Sequence, residues 1–244
     1  MSLGTDDRAR GPSSVGALRP ALPIWELLGR FLLLLIGQIL VVPSPWTGTS
    51  FYRLLSEHTA LPDGKRLKFA GQAGDIWYVF VGMALVVWLR PIIQHAELPQ
   101  YLGYLGMPLS WVLAVLLMKW FCANVRSEDG QLKLSFDGGY WAYVGWNVLL
   151  IVSLMTIVGW AWVLKFMMQW VCRNVRGSAS FDFTATGWEI LWRTFAFGFA
   201  CIFIIPIPWM IRWYKTWFIS QISVGPPGWG AITSFSATCV PRSS

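Results

Sequence analysis

Trp120-Phe121-Cys122-Ala123-Asn124-Val125-Arg126 is echoed 50 positions later by Trp170-Val171-Cys172-Arg173-Asn174-Val175-Arg176. Each copy closes a long apolar stretch, and a polar loop follows. A repeat that frames hydrophobic segments marks one structural unit copied along the chain. The echo widens on both sides of these seven residues. Trp141, Trp162 and Trp170 return as Trp188, Trp209 and Trp217, and Phe136 as Phe183, all shifted by 47. Trp25 and Trp46 are 21 apart, as are Trp141 and Trp162, and Trp188 and Trp209. Trp25-Glu26-Leu27-Leu28-Gly29-Arg30 parallels Trp188-Glu189-Ile190-Leu191-Trp192-Arg193. A further echo joins Leu67-Lys68-Phe69-Ala70-Gly71, Leu134-Ser135-Phe136-Asp137-Gly138 and Phe181-Asp182-Phe183-Thr184-Ala185.

The spacing of 21 has a physical reading. Twenty-one helical residues cover about 31 Å, close to the roughly 30 Å hydrocarbon core of a bilayer. A Trp at each end places an indole in each interface. Composition agrees: 55% of residues are hydrophobic and 13% charged, about half the charged share of a soluble protein. The formal charge of +7 then points to cytoplasmic loops and anionic lipid headgroups, not to nucleic acid.

Residues 1–23 are polar, without apolar periodicity, and are expected to be a disordered tail. The run Phe31–Val42 is followed by Pro43-Ser44-Pro45-Trp46 and no small-residue cleavage site, so it reads as an uncleaved span. Spans are predicted at 24–42, 76–94, 101–122, 141–159 and 188–205. Arms open at Trp46, Trp162 and Trp209. The last arm puts Arg212, Lys215, Thr216, Ser220 and Ser223 on one helical face, and the middle arm does so with Lys165, Gln169, Arg173 and Arg176. Such arms either lie in the membrane plane or span with the stripe facing a polar interior. The spanning or steeply tilted version gathers the basic loops on one side and satisfies the positive-inside rule. Pro206-Ile207-Pro208 and Pro43-Ser44-Pro45 break the chain between spans and arms. The Leu-x-Phe-x-Gly segments read as short strands or turns. Residues 224–244, rich in Gly, Pro and Ser, are expected to be a second disordered tail. The predicted fold is an all-α membrane protein, with a repeat-built domain over 24–223. It is a bundle of span-plus-arm units, with about five to seven membrane helices and short surface hairpin loops.

The pattern resembles the bacterial YjgN-like family of multi-spanning inner-membrane proteins, a domain of unknown function. The family's pattern is a Phe-x-Gly loop, a Trp- or Phe-led apolar helix, then Pro-Trp with a basic residue and aromatics. Here it stands as Phe136-Asp137-Gly138 before Trp141, as Phe183 before Trp188, and as Pro208-Trp209-Met210-Ile211-Arg212-Trp213-Tyr214. Pro45-Trp46 through Phe69-Ala70-Gly71 fits an earlier copy. The likeness covers residues 25–223, with departures: Ala161 stands before Trp162, an insertion lies around 95–110, and the last unit has no closing Phe-x-Gly loop. It implies the bacterial cytoplasmic membrane, multi-pass, and brings no chemistry.

The candidate intramembrane polar residues are Glu26, Arg30, Asn147, Lys165, Glu189, Arg193, Arg212 and Lys215. Glu26 and Arg30, like Glu189 and Arg193, stand four apart with the acid first, the favourable order for a helical pair. They read as neutralised pairs near the headgroups or as a polar constriction within the bundle. Lys165, Arg212 and Lys215 read as snorkelling residues or as a basic groove for an anionic lipid or solute. Asn147 is expected to bond between helices. Asn124 and Asn174 fit helix C-terminal positions that tolerate left-handed geometry.

Cys122, Cys172, Cys201 and Cys239 form no Cys-x-x-Cys, and His58 and His95 lie near none of them, so neither a metal nor a cofactor is expected. The duplicated Cys122 and Cys172 read as small apolar residues or as a pair across the repeats. No phosphate loop, His-Glu-x-x-His or Gly-x-Ser-x-Gly is present, and no enzyme activity is expected. Two functions remain. One is a structural or accessory membrane protein that contacts lipids and a membrane partner or its own copies. The other is a small transporter or channel for a small or anionic solute.

Overall fold

The computed structural model describes residues 15–156, 158–202 and 207–226. It is mostly helical, with eight α-helices among the described residues. Two short strands come first, β1 (Gly16–Ala17) and β2 (Arg19–Pro20), then α1 (Ile24–Leu40), α2 (Ser44–Glu57) and β3 (Thr59–Ala60). Next come β4 (Leu67–Phe69), α3 (Trp77–His95), a 3-10 turn over Gln100–Leu105, α4 (Gly106–Asn124) and β5 (Val125–Ser127). The order continues with β6 (Leu134–Phe136), α5 (Tyr140–Leu154), α6 (Trp160–Asn174) and β7 (Val175–Gly177). It closes with β8 (Ser180–Phe183), α7 (Gly187–Cys201), α8 (Ile207–Ser220) and β9 (Ile222–Gly225).

The order strand, helix, helix, strand thus occurs four times, and each time the two flanking strands pair antiparallel: β2 with β3, β4 with β5, β6 with β7, and β8 with β9. A pair of helices whose entry and exit strands pair must leave the strand cap and return to it. One hydrogen bond recurs at each cap. The residue after the entry strand donates its backbone N–H to the carbonyl of the arm's last residue or the one following it. The four are Ala21 to His58 (2.8 Å), Ala70 to Asn124 (3.0 Å), Asp137 to Asn174 (2.9 Å) and Thr184 to Gln221 (3.0 Å). The caps meet one another: Leu18, Leu61, Leu67, Val125, Leu132, Ala179 and Val224 form a single buried cluster.

Residues 16–20, expected within the disordered tail, are instead paired. Gly16 and Ala17 join Val224 and Ser223 of β9, Arg19 and Pro20 join Ala60 and Thr59, and Leu22 is buried among residues of α1, α2 and α8. Two-residue strands leave no alternation to read, so only their partners define them. Val224 and Gly225, at the start of the expected second tail, lie in β9. Residues 1–14 and 227–244 of these tails lie outside the described residues.

All five predicted spans contain helices, but their lengths differ from the prediction. α3 and the segment Gln100–Asn124 are long and apolar enough to cross a membrane. Only 22% of each apolar window is buried within the protein, unlike the core helix of a soluble fold. α1, α5 and α7 are shorter, at 17, 15 and 15 residues, or about 22–26 Å each. Val41, with φ of 62°, ends α1 because a β-branched residue in that region cannot continue a helix. Pro45 then sits within the first turn of α2, where its missing N–H costs nothing. At the end of α5, the Ser153 and Thr156 hydroxyls donate to Leu150 O (2.7 Å) and Ser153 O (2.6 Å), competing with the helical ladder. α3 runs through Pro91 to His95.

The arms differ among themselves. α4 packs along α3, with Gly82 facing Leu113 and Gly106 facing Leu89 and Val86. The shorter arms α2, α6 and α8 begin beside the first helix of another pair. Gly48 meets Phe80 of α3, the Trp162 ring lies 2.8 Å from where a Gly187 Cβ would stand, and Trp209 meets Trp25 edge-on at 6.4 Å. These three arms thus start against a neighbouring pair, and the last contact joins the final arm to the first helix.

Candidate functional site

The two sequence motifs that recur most clearly meet in space. In the second cap, Phe69 pairs with Val125 in register, and Phe69 packs edge-on against Trp120 at 5.1 Å. In the third, Phe136 pairs with Val175, and Phe136 meets Trp170 edge-on at 6.0 Å. The glycine of each Phe-x-Gly lies under the Trp: a Cβ on Gly71 would stand 2.6 Å from Trp120, and one on Gly138 2.9 Å from Trp170. Glycine is required there because a side chain would strike both the indole and the ring of the Phe two residues before it.

Asn124 and Asn174 end their helices without left-handed backbone; Val41 and Glu97 are the non-glycine residues with positive φ among those described. Their side-chain amides donate to Trp120 O (2.9 Å) and Trp170 O (2.8 Å), one turn back in their own helices. The chain then turns extended at Val125 and Val175.

Alternation along the cap strands puts apolar residues inward and basic ones outward. Leu67, Phe69, Val125 and Phe136 are buried, while Arg19, Lys65, Arg66, Lys68, Arg126, Lys133 and Arg176 are exposed. Lys68 and Arg126 face each other across β4 and β5. Glu128 lies 3.6 Å from Lys68, Asp129 pairs with Lys65, and Asp137 lies 3.4 Å from Arg176. The hydrogen bond and charge of Asp129 hold the Lys65 ammonium protonated above the usual lysine range.

Beneath the caps lies a chamber of about 300 Å³. Its wall comes from the C-terminal ends of all four arms, including Leu55, Met118, Cys122, Met168, Cys172 and Ile219, and from the inner faces of the strands. The wall's two hydroxyls are already spent on carbonyls of α2: Ser56 donates to Tyr52 O (2.9 Å) and Thr59 to Leu55 O (2.7 Å). Cys122 and Cys172 are buried free thiols, not a disulfide. The Cys201 side chain and Cys239 are outside the described residues. Among the described residues, no group of three or more His, Cys, Asp or Glu could hold a metal.

The sequence-predicted polar residues do not gather around this chamber. Glu26 is exposed in the first turn of α1, while Arg30 donates to Ser50 O of α2 at 2.8 Å. Glu189 closes a capping box with Thr186: its carboxylate accepts from Thr186 N (2.9 Å), and its own N–H donates to Thr186 Oγ1 (3.2 Å). Arg193 is held among three indoles, 4.8 Å from Trp192, 4.8 Å from Trp213 and 4.6 Å from Trp217. Arg30 and Glu189 are thus held by groups other than their expected partners. Asn147 donates to Tyr143 O of its own helix at 2.7 Å, where an interhelical bond was expected; the carbonyl four residues back is simply the nearest acceptor. Lys165 lies over the Phe166 ring at 5.5 Å, Arg212 is exposed, and Lys215 is half-buried along α8.

Two features escaped the sequence reading. The indole box around Arg193 has a trace in it, since Trp213 and Trp217 are four apart on one arm and Trp192 adjoins the arginine. The chamber has a fainter trace: a cysteine at the same place in two arms, where a larger residue would fill the space. No protein family, no curated protein and no solved structure matches this chain.

Proposed function

We propose that the chain is a multi-spanning protein of the bacterial inner membrane with a structural or accessory role in the envelope or in a membrane complex. In this reading it is built from four copies of the strand–helix–helix–strand unit. The observation that carries it is the outward face of the helices. Trp25 (73% exposed), Trp141 (80%) and Met155 (84%) belong to an apolar surface far larger than the few hundred Å² that soluble monomers expose. Lipid is the solvent such a surface fits. Length favours α3 and α4 as full spans, with α1, α5 and α7 as shorter membrane helices. The shorter arms α2, α6 and α8 then rest toward the cap side, with the basic faces of the caps turned to the cytoplasm and to anionic headgroups. The resemblance to the YjgN-like family is consistent with this location.

The scattering of Glu26, Arg30, Lys165, Glu189 and Arg193 favours this role over a polar-solute transporter, which needs such groups around one water-filled path. The role is tested by mild detergent extraction with a tag on the full chain. A stoichiometric membrane-protein partner, or a defined homo-oligomer, is expected; a clean monomer without a partner would count against it. Labelling of Arg193→Cys and Lys165→Cys, both within helices and away from the caps, by a water-soluble maleimide addresses transport. Slow labelling at both sites is expected, and rapid labelling at both would restore the transporter reading.

A further inference from the structure

We propose that the chamber beneath the strand caps binds one unbranched hydrocarbon chain, the tail of a fatty acid or a lysophospholipid. Water has little to hold it there, because an ordered water needs two to four polar partners and the wall's hydroxyls, Ser56 and Thr59, already donate to carbonyls of α2. A hydrated solute is disfavoured for the same reason. The volume of about 300 Å³ stands at the lower edge of small-ligand pockets, which suits one chain and not the paired chains of a diacyl lipid. Met118 and Met168 give the wall flexible thioethers that adapt to a chain of variable bend.

This assigns a task to the cysteine of the duplicated motif. At equivalent places on α4 and α6, Cys122 and Cys172 face the same chamber, and their small side chains keep it open. The inference concerns the inside of the molecule and holds whether or not the chain has a protein partner.

The test uses the full chain in amphipol, which carries no free detergent tail to compete, titrated with cis-parinaric acid and read by energy transfer from tryptophan. One saturable site is expected, with displacement by palmitate or by palmitoyl-lysophosphatidylglycerol; the more potent of the two identifies the source of the chain. Cys122→Leu combined with Cys172→Leu should weaken binding by about tenfold or more, the loss expected when two chain methylenes are shut out. Filling space should leave the unfolding temperature unchanged or raised, which separates lost binding from lost folding. Phe181→Ala, which enlarges the wall, should shift preference toward a longer chain. Non-saturating transfer, or affinity within about twofold of the parent in the folded double variant, would place the probe on the outer surface and overturn the proposal.

Discussion

The third and fourth caps share a strand order and a backbone hydrogen bond but lock their arms differently. In the third, Gly138 lets Trp170 lie directly over the strand, against Phe136. In the fourth, the corresponding residue is Ala185, fully buried, and Trp217 lies against Arg193. The second cap repeats the arrangement of the third with Gly71 and Trp120. One backbone plan thus accepts two ways of seating its indole: over a missing Cβ, or against a cation supplied by the neighbouring helix.

A sharper contrast lies at matching register positions of the second and third caps. Ser127 pairs with Leu67, and Gly177 pairs with Leu134. Gly177 has φ of 148°, and a Cβ there would strike the Lys133 carbonyl. Moving the second cap's residue into the third, Gly177→Ser, should cost about 3 kcal/mol or more. The reverse exchange, Ser127→Gly, should cost only about 0.5–1 kcal/mol. Thermal unfolding of the purified protein checks both, and equal shifts would remove the distinction between the caps.

Adding a methyl beneath the indole is the next test. Gly138→Ala and Gly71→Ala should each destabilise by about 1–3 kcal/mol, whereas Ala185→Gly should lose about 1 kcal/mol. Near-UV dichroism should change with the first two and stay as it was with the third. Arg193→Gln removes the cation from its three indoles and should cost about 1–2 kcal/mol, with red-shifted tryptophan emission as water reaches them. The smallest effect belongs to the helix ends. Asn124→Ala and Asn174→Ala should each cost about 0.5–1.5 kcal/mol, seen most directly as faster amide exchange at the end of each arm.

What the sequence made legible follows the range of the interactions involved. Helix positions were read from apolar runs and Trp spacing, and the observed helices begin close to where those features place them. Helix lengths were overread at α1 and α5 because the stops are local: the left-handed Val41 in one, the Ser153 and Thr156 hydroxyls in the other. The Leu-x-Phe-x-Gly strands were visible, but their partners were not. Nothing local announces that Phe69 will meet Val125 across more than fifty intervening residues. The Glu–Arg spacing suggested paired charges, yet Arg30 reached Ser50 on another helix and Glu189 turned back to cap its own. The chamber is the extreme case, since each arm supplies only a few of its wall residues and none is unusual alone.

The most direct test of the account is the sidedness of the caps. Single cysteines at Arg19, Lys68, Ser135 and Thr184, one exposed position in each cap, would be placed in a background with the four native cysteines replaced by serine. Labelling of intact cells and of inverted membrane vesicles with an impermeant maleimide then reports the side of each. Four caps joined beneath one basic layer should all label in the inverted vesicles and none in the intact cells. Labelling of alternate caps from opposite sides would mean inverted units and would contradict the account.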